Sequence, residues 1–128
     1  MRTWLLTVPL ALAASPVVAG NESRSAAYAL SDGLFEVVAD FSENAIYWCG
    51  AGTFARSTLQ SPAGQKIYVW QGPSASVARP GERAVRFGLT PPPGAGGGAG
   101  FSTDVGIIGN AMSVAQARQT CNERTSSG

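Results

Sequence analysis

The sequence predicts an α+β domain, in which a small antiparallel-type sheet has one helix packed on a face and a disulfide staples the single domain. Three observations support this prediction. Residues 34–41 and 66–71 alternate in the way that strands do, and residues 45–59 between them have helical spacing. The chain also has two cysteines, and 45% of its 128 residues are hydrophobic, which is enough for one core.

The N-terminus is typical of a secretory signal peptide. Arg2 is followed by a short apolar run that ends in small residues, the pattern that precedes a cleavage site. We predict cleavage after Ala19, with Ala13 as the second choice. The run is interrupted by prolines and is shorter than the roughly 20 apolar residues of a membrane span. Residues 1–19 are therefore expected to be a signal peptide, and residues 20–128 a single periplasmic or secreted domain without a membrane span.

Net charge and residue types argue against several classes of function. The formal charge is +1, and removal of Arg2 with the signal peptide takes away one of 9 basic residues while all 8 acidic residues stay. The mature domain is then neutral and has no electrostatic preference for nucleic acid. The absence of histidine removes histidine-based catalysis and the commonest metal ligand. We therefore predict a non-enzymatic domain with no catalytic residue, metal or cofactor, which binds a protein or a small ligand or acts as an accessory envelope protein.

Cys49 and Cys121 are expected to form the disulfide. Two cysteines in an exported chain favour a structural bond. In the chain-entropy estimate, a loop of this length gains about 4 kcal/mol from cross-linking. That gain is a large part of the stability of so small a domain.

The first half of the domain predicts one strand and one helix. The small, polar segment 21–31 is expected to be loosely held. Segment 34–41 is predicted to be a strand with an apolar inner face. Segment 45–59 is predicted to be a helix, in which Gly50 and Gly52 either weaken the helix or let another backbone approach closely.

The second half begins with two further predicted strands. Segment 66–71 is the strongest strand of the chain and has apolar side chains on both faces, as a central strand does. Segment 83–89 is the next strand. The two strands are expected to pair, although the ten-residue loop 72–81 is long for a hairpin and does not require it. The Gly/Pro-rich segment 91–100 is expected to be an exposed loop, and segment 101–110 predicts a short strand.

The last predicted element carries Cys121. Ser113 is followed by Gln116 in the spacing of a capping box, which favours a helix from this point to Cys121. A strand over residues 112–120 is the competing interpretation, because Met112 and Val114 alternate with polar neighbours.

Four aromatic residues are candidates for ligand contact: Tyr47, Trp48, Tyr68 and Trp70. Exposed aromatic rings on one surface provide a platform for a sugar or a peptide. Packing between the helix and the sheet is the competing interpretation for the same residues. A carbohydrate-binding module would require at least two of these rings to be exposed on one surface.

The residues around Cys49 locally resemble the strand and active-site turn of thioredoxins. Segment 37–41, Val-Val-Ala-Asp-Phe, precedes segment 48–52, Trp-Cys-Gly-Ala-Gly. The resemblance implies a reactive thiol, because a cysteine at a helix N-terminus is easily deprotonated. Gly52 stands where the second cysteine of the Cys-x-x-Cys motif would be. A thiol redox protein using Cys49 is therefore the alternative to a domain with a structural disulfide.

Three features extend over most of the mature chain: the segment 47–51 (Tyr-Trp-Cys-Gly-Ala), the strand 67–70 (Ile-Tyr-Val-Trp) and the late Cys121. In these features the chain resembles small exported alphaproteobacterial proteins of unknown function. The resemblance implies export and no particular activity.

Overall fold

A computed structural model describes residues 24–39, 43–94 and 102–122. In these residues it contains five strands, two helices and a terminal 3-10 turn. The elements are β1 (Ser25–Ala29), β2 (Phe35–Ala39), α1 (Asn44–Ser57), β3 (Lys66–Ala75), β4 (Arg83–Gly88), β5 (Ala111–Ser113), α2 (Val114–Gln119) and the turn Thr120–Asn122.

The five strands form one antiparallel sheet in the order β1-β2-β4-β3-β5. β1 and β2 form one hairpin, and β3 and β4 form another whose register shifts after Val69 and again after Gln71. β1 and β5 are the two edges of this sheet. The predicted fold class, an α+β domain with an antiparallel sheet, is confirmed.

The core lies between α1 and one face of the sheet, which we call the inner face. Phe35 and Phe87 are cross-strand partners on this face, and their rings lie 5.8 Å apart. Trp48 of α1 packs on Phe87 with a ring distance of 5.1 Å. Each large side chain buried in this way contributes about 1.5–3 kcal/mol of hydrophobic stabilisation. The sheet and α1 therefore hold each other in place.

α2 packs on the side of α1. Ser113 and Gln116 form the predicted capping box: each side chain bonds the backbone N–H of the other residue. This cap satisfies N–H groups that a helix of six residues would otherwise leave free. The helix interpretation of this segment is therefore confirmed, and only Ala111–Ser113 before it forms a strand.

Three local expectations are wrong. Segment 21–31 contains β1, because the alanine-rich sequence forms a strand once β2 offers a pairing partner. The predicted loop 72–81 begins as strand, since β3 continues to Ala75 through an irregular register that accommodates Pro73. The described residues of segment 101–110 form turns instead of a strand.

Some predictions concern residues outside the described ranges. These are the signal peptide 1–19, the end of the predicted strand 34–41 and most of the Gly/Pro-rich loop 91–100. In the described residues, no helix is both long and apolar enough to cross a membrane.

Candidate functional site

The predicted disulfide is present between Cys49 and Cys121. The two residues are separated by 72 positions in sequence, and their Cα atoms lie 4.8 Å apart. Both are buried, with exposed fractions of 0% and 3%. The bond joins the middle of α1 to the 3-10 turn that follows α2. It therefore fixes the C-terminal helix to the helix that packs on the sheet.

The surroundings of Cys49 are not those of a thioredoxin-type site. Cys49 lies inside α1 and not at its N-terminus. The free N–H groups of the first helical turn, which stabilise a thiolate in thioredoxin-type sites, are therefore not next to Cys49. The Thr53 hydroxyl lies 3.7 Å from the sulfur of Cys121 in a partly buried contact. Gly52, which replaces the second cysteine of that motif, faces α2, where a β-carbon would meet the backbone nitrogen of Arg118 at 2.8 Å.

The structure places two of the four aromatic candidates in the core. Tyr47 and Trp48 are almost completely buried in α1. The Trp48 Nε1–H donates a hydrogen bond to the carbonyl oxygen of Thr103, 2.8 Å away. Burial raises the pKa of the Tyr47 hydroxyl, against a smaller lowering by the charge of Arg83. These two rings support the loop and the sheet and do not form an open surface.

The other two aromatic candidates lie on the opposite, outer face of the sheet. Tyr68 and Trp70 are half-buried in β3. The Trp70 Nε1–H donates to the carbonyl oxygen of Thr90 at 2.8 Å, and the ring occupies the space above Gly88, where a β-carbon would lie 2.6 Å from Nε1. The structure therefore separates the four aromatic residues into two pairs on opposite faces. Only Tyr68 and Trp70 remain available as a surface for a ligand.

A buried carboxylate on the outer face was missed by the sequence analysis. Glu36 of β2 has no exposed surface. It accepts hydrogen bonds from the Ser76 hydroxyl, from the Val77 N–H at 3.2 Å and from the Ala78 N–H at 2.8 Å. All three donors belong to the connection between β3 and β4. Glu36 thus fixes that connection onto the sheet.

The pKa of Glu36 lies below its ordinary value for a clear physical reason. Burial raises it, but the hydrogen bonds from Ser76, Ala78 and Val77 and the charge of Arg86 together lower it further. Arg86 is the cross-strand partner of Glu36 in β4. The only sequence signal for this site is an acidic residue at the second position of β2, whose other residues are apolar. With three fixed donors from one loop, this carboxylate holds that loop in place.

Arg79 connects the same loop to the edge of the sheet. Its guanidinium donates to the Tyr28 hydroxyl at 2.9 Å and to the Glu82 carboxylate at 2.9 Å. The hydrogen bond to Tyr28 and the charge of Glu82 raise the pKa of Arg79. Arg79 and Glu82 also line a cleft of about 420 Å³ on the outer face, together with Arg24, Ser25, Ala26, Val38 and Ala39.

Two further depressions lie around the helices. A cleft of about 470 Å³ runs beside the disulfide, and its lining includes Arg56, Val114 and Arg118. A smaller pocket of about 180 Å³ lies between β1 and α1, and its lining includes Ala27, Gly50 and Phe54.

Comparison with known proteins adds no relative. No family model, no curated protein and no solved structure matches this chain. The resemblance to exported alphaproteobacterial proteins therefore stays a prediction. The described residues also contain no group of three or more histidine, cysteine, aspartate or glutamate residues arranged to hold a metal ion.

Proposed function

We propose that this protein is a non-enzymatic exported domain, periplasmic or secreted, which binds a partner or acts as an accessory envelope protein. The observation that carries the proposal is the buried bond between Cys49 and Cys121. Disulfides persist in oxidising compartments and are rare in the reducing cytosol. The N-terminal signal pattern and the disulfide therefore support the same compartment independently.

The position of the bond supports a structural role over a redox one. A redox-active disulfide needs a sulfur that another thiolate can reach. Cys49 has no exposed surface, Cys121 is 3% exposed, and the Thr53 hydroxyl lies 3.7 Å from the Cys121 sulfur. Such a bond stabilises the domain chiefly by restricting the conformations of the unfolded chain. Here it closes a loop between two residues that are 72 positions apart.

The outer face and the sheet edge support a binding role. Most of the buried apolar residues lie between the sheet and α1, while the outer face presents half-buried aromatic rings and arginine side chains. The buried carboxylate of Glu36 accepts three hydrogen bonds from the loop and holds it on the sheet. A disulfide-bonded domain with a polar and aromatic face is suited to recognition.

The test is the intact mass of the protein taken from its native compartment, alkylated with and without prior reduction under denaturing conditions. We expect a chain that starts at Gly20, no adduct before reduction and two adducts after it. The Cys121→Ala variant is the matched control, because it leaves Cys49 free and should take one adduct without reduction. Free thiol in the wild-type protein, or an uncleaved chain in the cytoplasm, would contradict the proposal.

A further inference from the structure

β1 is an edge strand whose outward backbone groups have no partner in the described part of the chain. The Leu30 N–H donates to the Leu34 carbonyl oxygen at 2.8 Å, and the two residues continue the register of the β1–β2 hairpin. Because hydrogen-bonded and non-hydrogen-bonded pairs alternate along antiparallel strands, the N–H and C=O groups of Ser25, Ala27 and Ala29 point away from β2. These groups form a regular row at the edge of the sheet.

In the described residues, β1 lacks several of the features by which proteins protect edge strands. Such features are lysine, proline, bulges and very short strands. β1 has the sequence Ser-Ala-Ala-Tyr-Ala and pairs with β2 over all five residues without a register shift. The opposite edge, β5, is three residues long and is followed immediately by α2. The two edges therefore differ, and only β1 offers a continuous template for another strand.

Depressions lie on both sides of β1. The pocket of about 180 Å³ on the inner side is lined by Ser25, Ala27, Gly50, Thr53, Phe54, Ser57 and Thr58, none of which is charged. The cleft of about 420 Å³ on the outer side contains two arginines and one glutamate. A strand added to β1 would point alternate side chains towards these two depressions.

We propose that β1 binds an extended segment of a partner protein by strand addition. The segment alternates apolar side chains, which enter the pocket beside Phe54, with acidic side chains, which lie near the exposed guanidinium of Arg79. Backbone hydrogen bonds to Ala27 and Ala29 supply affinity, and the two depressions supply sequence preference. This inference rests on the proposed binding function and names the class of partner.

The Arg79 guanidinium, whose side chain is 49% exposed, favours a peptide over a second copy of this chain. In a symmetric β1–β1 pair, each outer cleft would receive alanine or tyrosine side chains, because β1 has no acidic residue. An acidic side chain would instead meet a guanidinium, and such contacts are stronger than those between neutral groups.

The experiment uses three acetylated and amidated nonapeptides in which glutamate alternates with valine, leucine or phenylalanine. Binding to the oxidised mature protein is measured by calorimetry and by amide hydrogen exchange. We expect at least one peptide to bind with slowed exchange at Ala27 and Ala29. Lysine-containing versions of the same peptides should bind more weakly.

Two variants locate the binding on the protein. Ala27→Pro removes an outward N–H that β2 does not use, so the domain should fold while affinity falls about tenfold. Arg79→Gln should weaken the acidic peptides about two- to fivefold, as expected for an exposed charge pair. Arg56→Gln is the matched control, because Arg56 is an exposed arginine that lines neither depression, and it should leave affinity unchanged.

Three results would overturn the inference. Failure of all three peptides to bind, or equal binding by the folded Ala27→Pro variant, excludes strand addition at this edge. Slow amide exchange at Ala27 and Ala29 in the free protein would show that the edge is already covered. If the exchange rate does not depend on protein concentration, this chain covers the edge; if it does, a second copy covers it. If any of these results is obtained while the disulfide is intact and the signal peptide is cleaved, the peptide site is refuted. The proposal of an exported domain is then unaffected.

Discussion

Gly52 of α1 lies directly against Ala117 of α2. A β-carbon at position 52 would be 2.8 Å from the β-carbon of Ala117 and 2.8 Å from the backbone nitrogen of Arg118. The absence of a side chain lets the two helices approach closely, and this approach brings Cys121 within bonding distance of Cys49. The glycine that interrupts the helix pattern in the sequence is therefore required by the packing of α2.

Gly52→Ala should destabilise the protein although alanine favours helices. The new methyl group overpacks the helix contact at a cost of about 1–3 kcal/mol. Better helix propensity offsets about 1 kcal/mol of that cost. We expect a net loss of about 1 kcal/mol in the free energy of urea unfolding. Gly64→Ala is the control, because nothing lies within 4 Å of a β-carbon there and its backbone is not left-handed. Unchanged or increased stability of Gly52→Ala would show that the helices separate easily.

Removal of the disulfide should lower stability without changing the fold. The double variant Cys49→Ala/Cys121→Ala loses the constraint on a 72-residue loop, which we expect to cost about 2–5 kcal/mol. Urea unfolding followed by circular dichroism measures the loss, and the reduced wild-type protein should show a similar one. A double variant as stable as the oxidised protein would contradict a structural role for the bond.

The sequence predicts those elements in which the pattern of residues by itself determines the secondary structure. β2, β3 and β4 alternate clearly, and the inward faces of these strands are the ones that α1 covers. β1 was missed because its alanines have little strand preference and it depends on pairing with β2. The site at Glu36 was missed for a related reason: its donors lie in a loop some 40 positions away in sequence, and tertiary structure alone brings them together.

Glu36→Gln should reduce stability and remove part of its dependence on pH. The pKa of Glu36 is lowered in the folded protein, so its contribution is fully present above the ordinary value of 4.5. That contribution is lost as the pH falls through the lower folded value. We expect the variant to lose about 1–3 kcal/mol at neutral pH. Urea unfolding from about pH 7 to about pH 3 should show a smaller decrease for the variant than for the wild type.

The control for this measurement is Glu82→Gln. Glu82 is a partly exposed carboxylate in an ion pair with Arg79, 2.9 Å away. Exposed pairs of this kind contribute about 0–1 kcal/mol, so the control should stay close to the wild type. Equal losses in the two variants would mean that the hydrogen bonds to Glu36 add nothing beyond a surface charge.

The two tryptophans of the mature chain should differ in their access to solvent. Trp4 belongs to the predicted signal peptide, so the chain from residue 20 retains Trp48 in the core and Trp70 on the outer face. In Trp70→Phe, the fluorescence of the buried Trp48 should resist quenching by iodide. In Trp48→Phe, that of the half-buried Trp70 should be quenched more. Trp48→Ala should also cost about 3–5 kcal/mol of stability, because it leaves a cavity beside Phe87. Trp70→Ala should cost less, since its ring is already in contact with water. Equal quenching of the two single-tryptophan variants would contradict the separation of the aromatic residues into a core pair and a surface pair.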